Sequence, residues 1–325
     1  MLLTGKTSKN TVLLFLYFSA LLPAQVFACA SCGCTLSSDF QNQGIITSTG
    51  FKVDFRFDYL NQDQLRSGTG TISPIVAGKQ GYEVELYTKN EYFTLGLDYA
   101  PNLNWGLNVQ IPYIDRDHAT LGTDTDGITP GDGAYVSHTS SFGDVKIIGR
   151  YQGILPSKNW GIQLGVKLPT GSYNKVADDG TTMIDPGIQP GTGSTDIIVG
   201  SYYHDSFSQN WGYFGSVAYE AAIISRPEYR PGNSVNLTAG VNYFGFAYVT
   251  PQLQFNFKHV ATDSGELADT VSTGGTVLYV SPGFFVTATQ RIAVYGFVQV
   301  PVYQDLTGVQ LAPRYILTLG TRFSF

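Results

Sequence analysis

Tyr315-Ile-Leu-Thr-Leu-Gly-Thr-Arg-Phe-Ser-Phe325 alternates apolar side chains with polar or small ones almost without a break. Tyr315, Leu317, Leu319, Phe323 and Phe325 share one face, interrupted only by Thr321. Arg314, Thr318, Gly320, Arg322 and Ser324 share the other. A β-strand has a side-chain period of two, so this segment predicts a strand with one greasy flank and one wet flank.

The same pattern recurs upstream. Phe51, Val53, Phe55, Phe57 and Tyr59 alternate with Lys52, Asp54, Arg56 and Asp58, and comparable runs continue to the last strand. Twelve strands are expected, each about the 9–11 residues that a tilted membrane strand needs, or longer. Their connections alternate in length. Short turns are read at 101–104, 155–159, 205–210, 246–250 and 286–291. Mostly longer segments, rich in Gly, Asp, Thr and Ser, are read at 61–81, 118–141, 169–195, 222–233, 261–274 and 304–312. Short periplasmic turns against longer outer loops are the habit of outer-membrane barrels. The fold class predicted is therefore all-β, a transmembrane antiparallel up-and-down barrel with periplasmic termini. The repeat Asn104-Trp105-Gly106, Asn159-Trp160-Gly161, Asn210-Trp211-Gly212 starts three of these strands. An amphipathic indole there suits the inner membrane–water interface; a tryptophan buried in a soluble sandwich is the blander alternative.

The N-terminus reads as a secretory signal over residues 1–28. Lys6 and Lys9 precede an apolar run from Thr11 to Ala24, and Val26-Phe27-Ala28 suits a cleavage site. Cleavage leaves residues 29–49 as a periplasmic segment and 50–325 as the barrel. The signal holds two of the 19 basic residues and none of the 25 acidic ones, so the rest carries 17 against 25, a net of −8. That balance argues against nucleic acid as a partner. Charged residues are 14% of the chain, against about 25% in ordinary soluble proteins. A wall facing lipid needs few.

If the apolar flank faces lipid, the wet flank lines the lumen. Its basic members are Lys52, Arg56, Lys146, Arg150, Lys167, Lys258, Arg314 and Arg322; its acidic members are Asp54, Asp58, Asp98, Asp144 and Glu220. The basic excess points to a mild anion preference. The competing reading is that these residues pair within the wall to satisfy buried charge. Cys29, Cys32 and Cys34 are all the cysteines of the chain. Their spacing suits a disulfide in an oxidising compartment, a thiophilic metal at the thiolates, or lipidation at Cys29. No other cofactor is called for.

No catalytic set emerges. His204 and His259 are the histidines read as lying on the wall, and no serine stands at a motif-like spacing from either. Asp124-Thr125-Asp126-Gly127 lacks the downstream glutamate of a calcium loop. The chain is read as a non-enzyme.

Leu168-Pro169-Thr170-Gly171 followed by Pro190-Gly191-Thr192-Gly193-Ser194-Thr195-Asp196 resembles a pattern of the transporter family of the MetA pathway of phenol degradation. The final strand, with Phe323 and the terminal Phe325, resembles the last strand of bacterial outer-membrane barrels. In those proteins the terminal aromatic is part of the signal read by the barrel-assembly machinery. These resemblances imply a Gram-negative outer-membrane location, lipid and the assembly machinery as partners, and a channel for small solutes, aromatic or apolar compounds among them. In chemical terms the glycines and prolines bracket one long loop and re-aim its flanking strands. The alternative function is a closed scaffold that docks a periplasmic redox or metal partner through Cys29 to Cys34.

Overall fold

A computed structural model describes residues 48–325. The signal, the 29–49 segment up to residue 47 and the three cysteines lie outside the described residues. The chain is a closed antiparallel β-barrel. In chain order the strands are β1 (Gly50–Gly68), β2 (Gly70–Thr71), β3 (Glu85–Ala100), β4 (Trp105–Thr120), β5 (Tyr135–Phe142), β6 (Val145–Tyr151) and β7 (Trp160–Leu168). They continue with β8 (Thr195–Ser206), β9 (Trp211–Ile224), β10 (Ser234–Tyr243), β11 (Val249–Val260), β12 (Gly275–Thr287) and β13 (Ile292–Ser324). Eleven form the ring β1-β3-β4-β6-β7-β8-β9-β10-β11-β12-β13, which closes where β13 pairs with β1; β2 and β5 lie off this path. Closure leaves the ring without an unpaired edge.

The count of twelve is recovered inside β13. Its first part runs antiparallel to β12, from Ala293 opposite Thr287 to Leu306 opposite Gly275. Its last part runs antiparallel to β1, from Leu306 opposite Gly68 to Ser324 opposite Lys52. The two parts therefore run in opposite directions. The reversal falls beside Gly308, whose φ of 64° is the left-handed conformation a tight turn requires. The 304–312 segment, expected as a loop, is mostly strand.

Other expected loops are also partly strand. β1 runs on to Gly68, and a capped helix, α1 (Pro74–Lys79), follows it. Ser73 Oγ accepts from Val76 N at 3.3 Å, and Pro74 opens the helix. Within 118–141, β5 pairs with the upper part of β4 while β6 pairs with its lower part. β5 thus prolongs β6 beyond an interruption at Gly143 and Asp144.

The outer face is apolar and exposed, with Phe55, Phe93, Leu107, Leu164, Phe255 and Leu319 at 45–61%. A band of this extent on a water-soluble monomer would be an aggregation surface, and in a bilayer it is the solvated face. The interior carries buried aromatics the sequence pattern did not reveal. Tyr295 is fully buried, lies across Gly320 of the neighbouring limb and donates its hydroxyl to Asp54 Oδ1 at 2.8 Å. Any side chain at Gly320 would occupy the ring's place.

Candidate functional site in the barrel lumen

Most of the predicted interior charges come together as pairs. Arg56 meets Asp58 at 2.8 Å, Arg322 meets Asp54 at 3.1 Å, and Arg150 meets Asp98. Lys167 lies 2.5 Å from Asp196 and 3.8 Å from Asp144. Lys146 of β6 reaches Glu220 of β9 at 2.7 Å. Lys52 donates to Ser48 O at 3.2 Å, and Lys258 is buried. A guanidinium or ammonium taken out of water is tolerable only when a carboxylate or several dipoles replace that water. Arg314 is the exception. It is 64% exposed and meets Asp63 on the outer surface. A register shift between Leu60 and Gln62 of β1, opposite Ile316 and Pro313, turns two successive side chains outward.

Packing of the interior is lopsided. Asp58, Gln254, Asn256, Ser281 and Thr318 are all 0% exposed, so the side built from β1, β11, β12 and β13 is filled. Across the barrel, Gln110, Lys146, Ser216, Glu220, Asn236 and Thr238 are only half-buried. The open part of the lumen therefore follows β6 and β9–β10. Lys146–Glu220 crosses it from strands that are not neighbours.

The two halves of the Leu168/Pro190 pattern meet at one carboxylate. Asp144 Oδ1 accepts from Gly171 N at 3.0 Å; its Oδ2 accepts from Thr192 N at 2.9 Å and Thr192 Oγ1 at 2.8 Å. Asp144 thereby clips both ends of the 169–194 loop to the break between β5 and β6. The loop then turns inward. Ile184 and Ile188 are buried against Ala177 and Tyr135. Gln189 bonds Lys175 O and Ile184 O, each at 2.9 Å, and Arg116 of β4 donates to the carbonyl of Ile188. Gly171 is required by contact: a Cβ there would lie 2.7 Å from Gly191 Cα and 2.8 Å from the Gly143 carbonyl carbon. Neither neighbour can retract, because both are backbone. Gly171→Ala is expected to destabilise by about 1–3 kcal/mol, read as a lower melting temperature and faster cleavage of this loop by protease.

Trp105, Trp160 and Trp211 open β4, β7 and β9 at the short-turn end. Trp105 packs at a tilt against Tyr151 with ring centroids 4.4 Å apart, and Trp211 against Tyr243 at 4.9 Å, while Trp160 Nε1 donates to Ser201 Oγ at 2.9 Å. Phe325 is 75% exposed, and its backbone N donates to Phe51 O at 2.9 Å. Asp126 accepts from the backbone and hydroxyl of Thr129 and from Ile128 N, so its carboxylate serves its own turn. Sequence reasoning passed over Arg116, Tyr295 and His118. His118 is a wall histidine of β4, fully buried and bonded through Nδ1 to Thr88 Oγ1 at 2.8 Å. His138 of β5 adds a fourth strand histidine. Both histidines were missed because 118–141 read as loop.

No family model matches the chain, and no curated protein matches it, so membership in the family suggested by the Leu168/Pro190 pattern is not shown. Solved structures do match. An outer membrane channel from Pseudomonas putida F1 superposes with a TM-score of 0.64 at 11% identity, covering 87% of this chain and 98% of its own. The β domain of the Bordetella autotransporter BrkA gives 0.49 at 12%, covering 86% and 100%. The Ralstonia pickettii toluene transporter TbuX gives 0.46 at 9%, covering 94% and 100%. At these identities the Pseudomonas likeness speaks for the fold alone.

Proposed function

We propose that this chain is an outer-membrane pore through which small hydrophilic solutes diffuse passively. Export through a cleaved signal and insertion by the barrel-assembly machinery belong to the same reading. The observation that carries it is the half-buried polar stripe along β6 and β9–β10, inside a closed ring whose outer face is apolar. Serine, threonine, asparagine and a crossing ion pair suit hydrated solutes better than toluene-like ones. Matched charges on the wall favour weak selectivity over the anion preference that the basic excess suggested.

The closed-scaffold reading draws on the filled side of the lumen, and one experiment separates the two. Purified protein in planar bilayers is expected to give discrete conductance steps, and proteoliposomes should swell faster in small sugars than in larger ones. A silent bilayer together with unchanged swelling would return the chain to a scaffold.

A further inference from the structure

Four carboxylates from three separate segments gather at the long-loop end of the barrel. Glu83 and Glu85 lead into β3, Asp185 belongs to the 169–194 loop, and Asp269 belongs to the 261–274 loop. Hydrogen bonds place them. Thr120 Oγ1 donates to Glu83 Oε1 at 2.6 Å, and Thr120 is the cross-strand partner of both Glu85 and Tyr135. Tyr135 Oη accepts from Asp185 N at 3.4 Å. From the opposite side, Leu311 N donates to Glu85 Oε2 at 3.4 Å. Two residues before Leu311, Val309 N donates to Ser272 Oγ at 3.2 Å, and Ser272 N donates to Asp269 Oδ1 at 2.8 Å. All four acids are 1–6% exposed.

Glu85 Oε1, Asp185 Oδ2 and Asp269 Oδ2 have no hydrogen-bond partner among the described residues. The charges feel one another. Burial, and then Glu83, Glu85 and Asp269, hold the Asp185 carboxyl well above the usual carboxylate range. Burial pushes Asp269 up to about 6, with Asp263 adding to it. Buried carboxylates facing each other must take up protons or a counter-cation. Among the described residues no three metal-ligating side chains converge on one point, which rules out a bare ion in an all-protein shell. An ion that keeps several waters and takes only one or two carboxylates fits this arrangement; that is the habit of Mg²⁺.

We propose that the cluster of Glu85, Asp185 and Asp269 holds a hydrated divalent cation, bonded directly by one or two of these carboxylates and through its waters by the rest, that ties the 169–194 and 261–274 loops to the head of β3. The cluster would hold the cation whether or not the barrel conducts. The test uses the full chain folded in detergent, stripped with EDTA and titrated with MgCl₂ at neutral pH, with NaCl at matched ionic strength as control. Apparent melting temperature of the wild type is expected to rise by several degrees and saturate. Asp185→Asn with Asp269→Asn is expected to melt no lower than wild type in EDTA, because it removes repulsion, and to lose the MgCl₂ response. Glu85→Gln, a milder change, should reduce that response. The pair Asp126→Asn and Asp179→Asn, whose acids serve exposed turns, should keep it. Binding of Mn²⁺, followed by loss of its free paramagnetic signal, should track the same variants. A wild type indifferent to MgCl₂ would mean that protons neutralise the cluster and would overturn the proposal. So would a full response surviving in the Asp185/Asp269 double variant.

Discussion

Asp144→Ala is expected to free the 169–194 loop, lower stability by about 3 kcal/mol and increase conductance. The magnitude follows from what the carboxylate holds. It accepts three hydrogen bonds from Gly171 and Thr192, and bonds to a charged acceptor contribute about 1.5–3 kcal/mol each, without adding fully. Lys167 is not stranded by the change, because Asp196 remains 2.5 Å away. The cost therefore stays below the 3–5 kcal/mol, or thereabouts, of a broken buried ion pair. Loss of the clip undoes both ends of the loop together, so Ile184 and Ile188 should leave the mouth and the lumen should widen. Asp144→Asn keeps one acceptor and should cost about half as much. Protease sensitivity within 169–194, unfolding midpoint and single-channel conductance are the measurements. A loop as resistant in Asp144→Ala as in the wild type would show that Arg116 and the Ile184–Ile188 packing hold it without the clip.

The lipid-facing half of the fold was legible because one flank of each strand is made of large apolar residues. Strand starts at Trp105, Trp160 and Trp211 coincide with β4, β7 and β9. What escaped the reading lies towards the long loops. There β1 passes through Asn61-Gln62-Asp63-Gln64, and β3 through Thr88-Lys89-Asn90-Glu91. Beyond the apolar belt both flanks of a strand are polar or covered by loops, so the period of two fades although the hydrogen-bond ladder continues. Arg314 was assigned to the wrong flank because alternation cannot register a bulge. Helix α1 carried a readable signal in Ser73-Pro74 that a search for strands overlooked.

The site was legible as a set of residues and illegible as a set of pairs. Arg56–Asp58 lies two residues apart and was a natural guess. Lys146–Glu220 joins residues 74 apart in sequence, three strands around the ring. Only barrel closure, with its curvature and tilt, decides which side chains cross the lumen. The Leu168/Pro190 pattern marked the loop correctly, but its partner Asp144 lies outside both halves of the pattern. Nothing in the spacing announces it.

Glu220→Gln should convert a weakly selective pore into an anion-selective one. Glu220 lies in the open part of the lumen and faces Lys146, Lys167 and Lys258. Lys167 keeps Asp196 and Asp144 in the variant. Lys146 loses the carboxylate 2.7 Å away, and its ammonium, 33% exposed, then stands in the passage. A cation that has lost this carboxylate in a narrow, low-dielectric passage attracts permeating anions and repels cations over a Debye length of about 10 Å at 0.1 M salt. Under a tenfold salt gradient the reversal potential is expected to move by tens of millivolts towards the anion limit of about 59 mV. The shift should shrink as salt is raised. Lys146→Gln should move it the other way by less, because Lys167 and Lys258 still face Glu220. The double change Lys146→Gln with Glu220→Gln should return near the wild-type value, since it removes one charge of each sign. If both single variants kept the wild-type reversal potential while conducting normally, the permeating path would lie away from β6 and β9.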